Sequence, residues 1–373
     1  MTVLGTRPEI IRLSRVMSRL DEYTQHIVVH TGQNYDYELN EIFFEDIGIR
    51  KPDYFLGVDC STLGKAYGNI LIKSEEVFIK EKPDAVLILG DTNSSISAII
   101  AKRMKIPIYH MEAGNRCFDF NVPEETNRRI IDHISDFNLV YTEHARRNLL
   151  LEGIHPRKIY LTGSPMKEVL SHNIDKIKNS PIMDKLKLKE KKYFLVSMHR
   201  EENVDNKNNL SVLLTMLELL YKKYKLPIIV STHPRTRKRL EMFPDMKKNN
   251  KICFLKPFGY FDYVKLQLNA LCVVSDSGSI SEEASILSFP AVTIRNAMER
   301  PEAMDSGSII LTGLDNNTIL QSIAMVIKGS NELNKYMIPC EYEITDVSQR
   351  TVKLILGTAK LSHLWDGIAK GIK

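Results

Sequence analysis

The sequence lacks the patterns that would place it among disulfide-rich, zinc-binding or membrane proteins. Its five cysteines are odd in number and scattered, and no two form a C-x-x-C pair. We therefore expect neither a disulfide framework nor a structural zinc site, and a reducing cytoplasm fits this usage best. No apolar run reaches the roughly 18 residues that indicate a membrane span. The opening MTVLGTRPEI does not have the pattern of a secretory signal.

Motifs for dinucleotide cofactors and for nucleic acids are also missing. No G-x-G-x-x-G occurs, and the glycines of GVDCSTLGK are too far apart for a P-loop. The formal charge of +5 is mild for 373 residues, and the densest basic run, residues 185–192, comes without a recognition motif. The two histidines that are four residues apart, His26 and His30, lie in the strand candidate QHIVVHTG and not on a helix, so a histidine metal site is not expected. We expect no nucleic-acid partner, no metal ion and no cofactor.

What the sequence does contain is a repeated alternation of strands and helices. Continuous Val, Ile and Leu runs such as DAVLILG and LCVVSD alternate with segments of helical apolar spacing. Such runs are typical of a parallel sheet with helices on both faces. The rhythm breaks into polar, lysine-rich sequence at about 172–192 and then restarts. This predicts two α/β domains, 1–171 and 184–357, joined by a linker.

Charged residues follow the strands of the first half, where open α/β sheets bind their ligands. Arg7 comes after MTVLG at the start of a helix, Arg12 follows about one turn later, and Asp91 ends DAVLILG. A helix N-terminus attracts anions, so the arginines are candidates for an anion site. The alternatives are a pair of surface arginines and an N-cap role for Asp91.

The segments HMEAGN and PEETNRR bring an unusual density of charge to one short stretch. Glu112 closes a strand, and Glu124 opens a helix and shares a face with Arg128. These residues are candidates for acid–base chemistry, and a surface ion pair is the alternative. We interpret Glu125 and Arg129 as an ordinary helix-cap acid and a surface charge.

The second half offers a possible phosphate site. LCVVSDSGSISEE ends a buried strand and opens a helix at Ser277–Ser279, where hydroxyls and backbone N–H groups can hold a phosphate. His199 and His233 also follow strands. Together with the carboxylates of the first half, these features suit a nucleotide-linked anionic substrate and proton-transfer chemistry.

In chain order, GTRPEII, LGDTNSS, HMEAGN, VPEETNRR, HREEN, SDSGSISEE and ERPEA resemble the motifs of the non-hydrolysing UDP-N-acetylglucosamine 2-epimerase family, from about residue 2 to about residue 357. The resemblance implies an isomerase that acts on a UDP-sugar. It also implies two Rossmann-like domains of the glycosyltransferase-B type with the active site in the cleft between them. A C-terminal helix, 358–373, would cross back to the first domain, and family members are usually homodimers.

The resemblance further implies roles for individual residues. The residues that it makes catalytic are Asp91, Glu112, Glu124 and His199. The implied substrate ligands are Arg7, Arg12, Arg128 and Arg300 for substrate or phosphates, Ser277, Gly278 and Ser279 for phosphate, Glu283 for ribose, Phe258 and Tyr263 for uracil, and His233 on the UDP side.

Three departures from the family pattern bear on substrate and regulation. Arg12 stands where the glucosamine epimerases usually have Lys, and Ser279 replaces the second Gly of their phosphate loop. The segment 30–44 differs where those enzymes contact an allosteric UDP-sugar. Its NYDYELN resembles the branch that converts UDP-2-acetamido-2,6-dideoxy-L-talose to UDP-N-acetyl-L-fucosamine for capsule or O-antigen synthesis, and we predict that reaction. Epimerisation of UDP-N-acetylglucosamine to UDP-N-acetylmannosamine is the alternative, and a UDP-sugar glycosyltransferase is a more remote one.

Overall fold

Two parallel β-sheets, one in each half of the chain, organise the structure. The computed structural model describes residues 1–32, 44, 47–243, 249–330 and 337–368. One compact unit comprises residues 1–171 together with 340–373, and the other comprises residues 172–339. Each unit is an α/β domain with a sheet and helices of its own.

The first sheet has seven parallel strands in the order β3-β2-β1-β4-β5-β6-β7. The strands are β1 (Thr2–Leu4), β2 (Val28–His30), β3 (Tyr54–Phe55), β4 (Val86–Leu89), β5 (Ile108–Ala113), β6 (Phe137–Val140) and β7 (Ile159–Leu161). Val3, Val86, Ile88 and Ile108 are wholly buried, as expected for strands covered on both faces. The strand order reverses between β1 and β4, which is where ligands bind in doubly wound sheets.

The helices of the first unit begin at the carboxyl ends of these strands or in the loops that follow them. They are α1 (Arg7–Tyr23), α2 (Leu63–Glu81), α3 (Ser97–Arg103), α4 (Pro123–Ile134), α5 (Glu143–Leu151) and α6 (Met166–His172). Pro8 lies in the first turn of α1 and Pro123 opens α4, positions that suit a residue without a backbone N–H. Thr62 and Thr142 cap α2 and α5 by accepting a backbone N–H bond.

The second sheet has six parallel strands in the order β10-β9-β8-β11-β12-β13. The strands are β8 (Phe194–Ser197), β9 (Ile228–Ser231), β10 (Ile252–Leu255), β11 (Cys272–Ser275), β12 (Ala291–Thr293) and β13 (Ile310–Leu311). This is the strand order of a Rossmann sheet, and its reversal lies between β8 and β11. The prediction of two Rossmann-like α/β domains is confirmed.

Helices of the second unit cover both faces of its sheet. They are α7 (Ile174–Lys178), α8 (Ile182–Lys185), α9 (Glu201–Val204), α10 (Lys207–Tyr224), α11 (Pro234–Leu240), α12 (Tyr260–Asn269), α13 (Ile280–Leu287), α14 (Glu302–Asp305) and α15 (Asn316–Gly329). Asn206 caps α10 and Asp315 caps α15 through their side-chain oxygens. Within the described ranges, no helix is both long and apolar enough to cross a membrane.

The lysine-rich stretch at 172–192 is part of the second domain, so the prediction that it is a linker was wrong. Helices α7 and α8 pack on α12, burying Ile177 and Ile182, and Ser180 donates a hydrogen bond to Asp262. The lysines of this stretch lie mostly at the surface. Because they dominate its composition, the few apolar residues that α7 and α8 bury do not stand out in the sequence. The second unit therefore begins at residue 172 instead of 184.

The last described helices, α16 (Val347–Thr358) and α17 (Ser362–Trp365), belong to the first unit. Helix α16 packs on α1, its Ser348 N–H donates to Glu168 at 2.9 Å, and the hydroxyls of Thr358 and Tyr109 lie 2.6 Å apart. Residues 340–357, predicted to lie in the second domain, therefore fold against the first. The chain returns to the first unit at residue 340, whereas the prediction placed this crossing at residue 358.

Candidate active site

The carboxyl ends of β1, β4 and β5 bring Arg12, Asp91 and Glu112 to the same edge of the first sheet. Gly90 has φ +69°, a conformation that favours glycine, so the chain turns there and Asp91 directly follows β4. Glu112 has φ +66° at a point where the register between β5 and β6 shifts. This conformation costs a non-glycine residue about 1–3 kcal/mol and is concentrated at functional sites. Its presence at Glu112 supports the assignment of a site to this edge.

An arginine holds each of two carboxylates at this edge. Oε2 of Glu112 accepts a hydrogen bond from Nη1 of Arg12 at 2.6 Å. Oδ2 of Asp91 accepts from both Nε and Nη2 of Arg128, at 2.9 and 2.6 Å. Among the residues that the structure describes, no donor reaches Oδ1 of Asp91, and this side chain is 23% exposed. This geometry agrees with the proton-transfer role predicted for Asp91, which stays a prediction.

Glu124 and Arg7 each lie in the first turn of a helix that follows a strand. Glu124 is the second residue of α4 and is half-buried, and Arg7 is the first residue of α1, after the cap Thr6. A carboxylate suits the positive end of the helix dipole at α4. The structure places both residues as the sequence predicts, and their roles in catalysis and binding stay predictions.

A chain of ion pairs that ends in a histidine connects Asp91 to α4, to α5 and back to the end of β4. Neighbouring members lie between 2.6 and 3.1 Å apart. The order of the chain is Asp91, Arg128, Glu125, Arg129, Glu152, Arg116, Asp132 and His110. Nε2 of His110 then donates to the carbonyl oxygen of Gly90 at 2.9 Å, next to Asp91. We call this set the charge network.

The interpretation of Glu125 and Arg129 as ordinary cap and surface charges was wrong. Glu125 is wholly buried and lies at the centre of the charge network. Asp132 is also buried. The Gly114 N–H donates to both of its carboxylate oxygens, and Arg116 forms an ion pair with it. Burial alone would raise the pKa of Asp132, but His110 and Arg116 hold it below its ordinary range. Buried charges require such pairing because unpaired ones are very costly.

Glu9 is a buried carboxyl group that the sequence predictions missed. Its Oε2 accepts hydrogen bonds from the Gly5 N–H at 3.1 Å and the Thr6 hydroxyl at 2.7 Å, and its Oε1 accepts from the Ser94 hydroxyl. Burial raises the pKa of Glu9 to about 7 despite these hydrogen bonds. Glu9 thus ties the turn after β1 to the turn that follows Asp91.

In the second unit, His199 and Asp276 form a pair at the strand-order reversal, after β8 and β11. Nδ1 of His199 lies 3.0 Å from Oδ1 of Asp276, and the side chain of Asn203 donates to the same carboxylate at 3.0 Å. Burial alone would raise the pKa of Asp276, but His199 and the hydrogen bonds lower it to about 2. Burial alone would lower the pKa of His199, but the negative charge of Asp276 outweighs burial, and the pKa of His199 is raised. With Nδ1 turned to Asp276, Nε2 is the nitrogen suited to act on a substrate.

The predicted phosphate loop forms a tight turn at the start of α13. The hydroxyls of Ser277 and Ser279 lie 3.0 Å apart, and the Ser279 N–H donates to the Ser277 hydroxyl at 3.3 Å. A Cβ added at Gly278 would lie 3.9 Å from Nη1 of Arg295, so a guanidinium group lies beside the loop. Hydroxyls, a helix N-terminus and an arginine together favour an anion.

Two other predicted substrate ligands, Arg300 and Glu283, form polar contacts with side chains of the second unit. Nη1 of Arg300 is 3.2 Å from Oε2 of Glu282, and Oε2 of Glu283 accepts from Nε2 of Gln267 at 2.6 Å. Burial raises the pKa of Tyr263, and the negative charge of the nearby Glu283 adds to this. The proximity of Tyr263 and Glu283 is consistent with the prediction that they bind neighbouring parts of one ligand, uracil and ribose. The individual roles stay predictions.

His233 and Phe258 have structural roles of their own. Nδ1 of the exposed His233 accepts from the Arg235 N–H at 3.4 Å and so caps α11. Phe258 is half-buried and packs against the core under the second sheet. Neither contact excludes the predicted ligand roles, which stay predictions. Residues 33–43, which include NYDYELN, lie outside the described residues.

Comparison with known proteins identifies the family. Residues 18–356 match the family profile described as UDP-N-acetylglucosamine 2-epimerase. The chain belongs to this family. A solved UDP-N-acetylglucosamine 2-epimerase from Rickettsia bellii is 52% identical, with a TM-score of 0.92 and 97% of each chain covered. The Methanocaldococcus jannaschii enzyme, crystallised with UDP-GlcNAc and UDP, is 36% identical, with a TM-score of 0.89 and coverage of 95% of this chain and 99% of that chain.

A further relative is the UDP-N-acetylglucosamine 2-epimerase of Methanococcus maripaludis, 41% identical over 340 residues, which are 89% of this chain and 92% of the relative. The protein is therefore an isomerase, a non-hydrolysing UDP-N-acetylhexosamine 2-epimerase. Its fold is of the glycosyltransferase-B type, as the resemblance implied.

This epimerase has functional candidates that the sequence predictions did not assign. Glu125 carried a weak signal, because an acid next to Glu124 in a first helical turn reads as a dipole partner. Thr6 and Glu9 have the T-x-x-E spacing of a capping box, which signalled a local role for Glu9 but not its contact with Ser94. Asp276 was visible as a strand end, and its pairing with His199 required the strand order.

Proposed function

We propose that this epimerase inverts C2 of UDP-N-acetylglucosamine to give UDP-N-acetylmannosamine, and the reverse. The observation that carries the proposal is the arginine-held pair Asp91 and Glu112 at the strand-order reversal of the first sheet, with one oxygen of Asp91 left to take a proton. The names of the relatives, at 52% and 41% identity, support the choice of sugar.

The chemistry requires that the bond to UDP breaks before the C2 proton leaves. The C2 proton is not acidic, because the substituent on C2 is an acetamido nitrogen and C1 is not a carbonyl. Departure of UDP with the C1–O electron pair leaves an oxocarbenium-like centre, and loss of the C2 proton to a carboxylate then gives a 2-acetamidoglycal. Addition of a proton to the opposite face of C2, and of a UDP oxygen to C1, gives the epimer.

Each step has candidate residues. Asp91 and Glu124 transfer the protons, and Glu112, fixed by its arginine, positions groups at C2. His199, oriented by its aspartate, assists the departure and return of UDP. The loop Ser277–Ser279 holds the diphosphate, whose developing charge the helix N-terminus stabilises. The remaining predicted ligands keep their substrate-binding roles in this proposal.

A second candidate substrate is UDP-2-acetamido-2,6-dideoxy-L-talose, with UDP-N-acetyl-L-fucosamine as the product. The sequence NYDYELN favours it. The same bonds at C1 and C2 would change, so the catalytic proposal holds for both sugars. The two substrates differ in ring configuration and in the hydroxyl at C6.

The experiment offers each UDP-sugar separately in deuterated water and follows C2 by NMR. The preferred proposal expects deuterium at C2 of UDP-N-acetylmannosamine, together with positional isotope exchange from C1–O cleavage. Product without solvent deuterium would rule out the mechanism. Turnover of the 6-deoxy-L-talo donor alone would replace the sugar and keep the chemistry.

Two substitutions test the assigned residues. Asp91→Asn and Glu124→Gln should each lower turnover about a hundredfold or more while UDP still binds, because proton transfer contributes rate and not UDP affinity. Glu143→Gln is the matched control, since Glu143 also lies in the first turn of a helix in this unit and is partly exposed, but that helix follows β6 and Glu143 pairs with Arg146. Full activity in either test variant would remove that residue from its role.

The same assay separates the rival activities. A glycosyltransferase would leave the UDP-sugar unchanged until an acceptor is added. A hydrolysing epimerase would release free sugar and UDP, which chromatography detects. An enzyme that returns an intact epimeric UDP-sugar without an acceptor is neither.

A further inference from the structure

Glu125 is a wholly buried carboxylate beside the proposed proton-transfer site, and the reaction as described does not use it. Oε2 accepts from Nη1 of Arg128 at 3.1 Å and from the Cys117 N–H at 3.2 Å. Oε1 accepts from Arg129 at 3.0 and 3.2 Å. Burial alone would raise the pKa of Glu125, but the Cys117 N–H and the two arginines hold it below its ordinary range. The buried group therefore carries a fixed negative charge.

The Arg128 guanidinium lies between two carboxylates. Its Nη1 faces Glu125, and its Nε and Nη2 both reach Oδ2 of Asp91. A guanidinium is planar and rigid, so fixing one edge on Glu125 fixes the direction of the other edge. Asp91 is oriented by that edge through a single oxygen, and Oδ1 receives no bond within the described parts of the chain.

The sharing of Arg128 also sets how strongly Asp91 attracts a proton. A positive charge beside a carboxylate makes it a weaker base, and a second carboxylate on the same guanidinium offsets part of that effect. Arg129 lies on the other side of Glu125 and is itself paired with Glu152. The charges on either side of Glu125 therefore alternate in sign from Asp91 to Glu152.

We infer that Glu125 is a positioning residue for Asp91, acting through Arg128: it fixes the guanidinium that orients Asp91 and offsets the charge that would otherwise make Asp91 a poor base. This inference rests on the proposed role of Asp91 in proton transfer. It separates Glu125 from an ordinary acid at a helix N-terminus, which would be exposed and would not reach an arginine bound to another carboxylate.

The test is Glu125→Gln, measured as kcat and KM across pH in the forward reaction. The substitution keeps the shape of the side chain and removes its charge. We expect kcat to fall about tenfold to a hundredfold with KM nearly unchanged, since a small displacement of a reacting group has effects of that size. The acidic limb of the kcat profile should move to lower pH, because the charge of Glu125 no longer offsets that of Arg128.

Glu152→Gln is the matched control, since Glu152 belongs to the same charge network but contacts Arg116 and Arg129 instead of Arg128. It should leave the acidic limb in place. An equal shift in both variants, or a fall in rate without a shift in Glu125→Gln, would overturn the inference. If Glu125→Gln does not fold, Glu125→Asp, which keeps the charge and shortens the reach, must still lower kcat. Wild-type kcat in Glu125→Asp would also overturn it.

Failure of this inference is distinguishable from failure of the proposed function. Full activity in Asp91→Asn removes Asp91 from the chemistry whatever Glu125 does. Loss of activity in Asp91→Asn together with an unshifted profile in Glu125→Gln keeps the role of Asp91 and rejects that of Glu125.

Discussion

Replacing the buried Glu9 by glutamine should stabilise the first unit more at about pH 8 than at about pH 5. Glu9 is 1% exposed and accepts hydrogen bonds from Gly5, Thr6 and Ser94. Glutamine keeps a carbonyl oxygen for the Gly5 N–H and the Thr6 hydroxyl and offers its NH2 group to the Ser94 hydroxyl, which can also accept. The substitution thus removes the titration and leaves the shape.

The magnitude follows from the pKa of Glu9, which burial raises from 4.5 to about 7. A carboxyl group with a raised pKa binds its proton more tightly in the folded state than in the unfolded state. Its contribution to stability is therefore fully present below pH 4.5 and is lost as the pH rises through about 7. With 1.36 kcal/mol for each pKa unit, the loss between pH 5 and pH 8 is about 2.5 kcal/mol. The glutamine variant avoids this loss.

The assay is urea unfolding at both pH values, followed by the fluorescence of Trp365. Trp365 is the only tryptophan of the sequence and packs with its ring centroid 6.2 Å from that of Phe137, so its signal reports on the first unit. Glu22→Gln is the control, because Glu22 lies on the same helix and is exposed. Equal differences between variant and wild type at the two pH values would refute the reasoning. So would a pH dependence of the same size in the control.

The remaining predictions concern a glycine and an ion pair. Gly163→Ala should cost about 2–4 kcal/mol of unfolding free energy, since a Cβ at φ +88° would lie 2.5 Å from a side-chain carbon of Ile344. Gly153→Ala, with φ +83° and nothing within 4 Å of the added Cβ, should cost only about 1 kcal/mol, and equal costs in urea titrations would contradict the steric argument. Asp276→Asn should lower the pKa of His199, which its carboxylate now raises, and an unchanged NMR titration of the imidazole would contradict the pairing.

The sequence predicts the central strands well because they are buried on both faces. Runs such as DAVLILG and LCVVSD became β4 and β11, which lie inside their sheets with continuous apolar sequence. The strands at two sheet edges, β3 and β13, were missed. Each has only two residues, so period and composition carry almost no signal, and pairing with the neighbouring strand alone defines them.

The domain boundaries were harder to predict because local composition does not report long-range packing. The lysines at 172–192 resemble a linker, yet the few apolar residues among them pack against α12. At the other end, α16 has an amphipathic pattern that fits either domain. Its position is decided by contacts with Glu168 and α1, more than 150 residues away in sequence.

In the candidate site, individual residues could be predicted from the sequence, but the partners with which they pair could not. Asp91, Glu112 and His199 were predicted from their positions after strands, and the structure places each at the carboxyl edge of its sheet. Their partners could not be predicted, because Arg12 and Glu112 are a hundred residues apart and the aspartate beside His199 is 77 residues away. The order of strands brings them together, and a single sequence contains that order only implicitly.

The density of charge between Glu112 and Arg129 follows from the need to hold Asp91 from two sides. One route is electrostatic: Arg128, held by Glu125, contacts the Asp91 side chain and orients it. The other is structural: His110 reaches the Gly90 carbonyl and so fixes the backbone before Asp91. Both routes end in the same charge network, in which the buried carboxylates Glu125 and Asp132 are each paired with an arginine. Loss of one member of these pairs would leave its buried partner without a counter-charge, which is strongly destabilising.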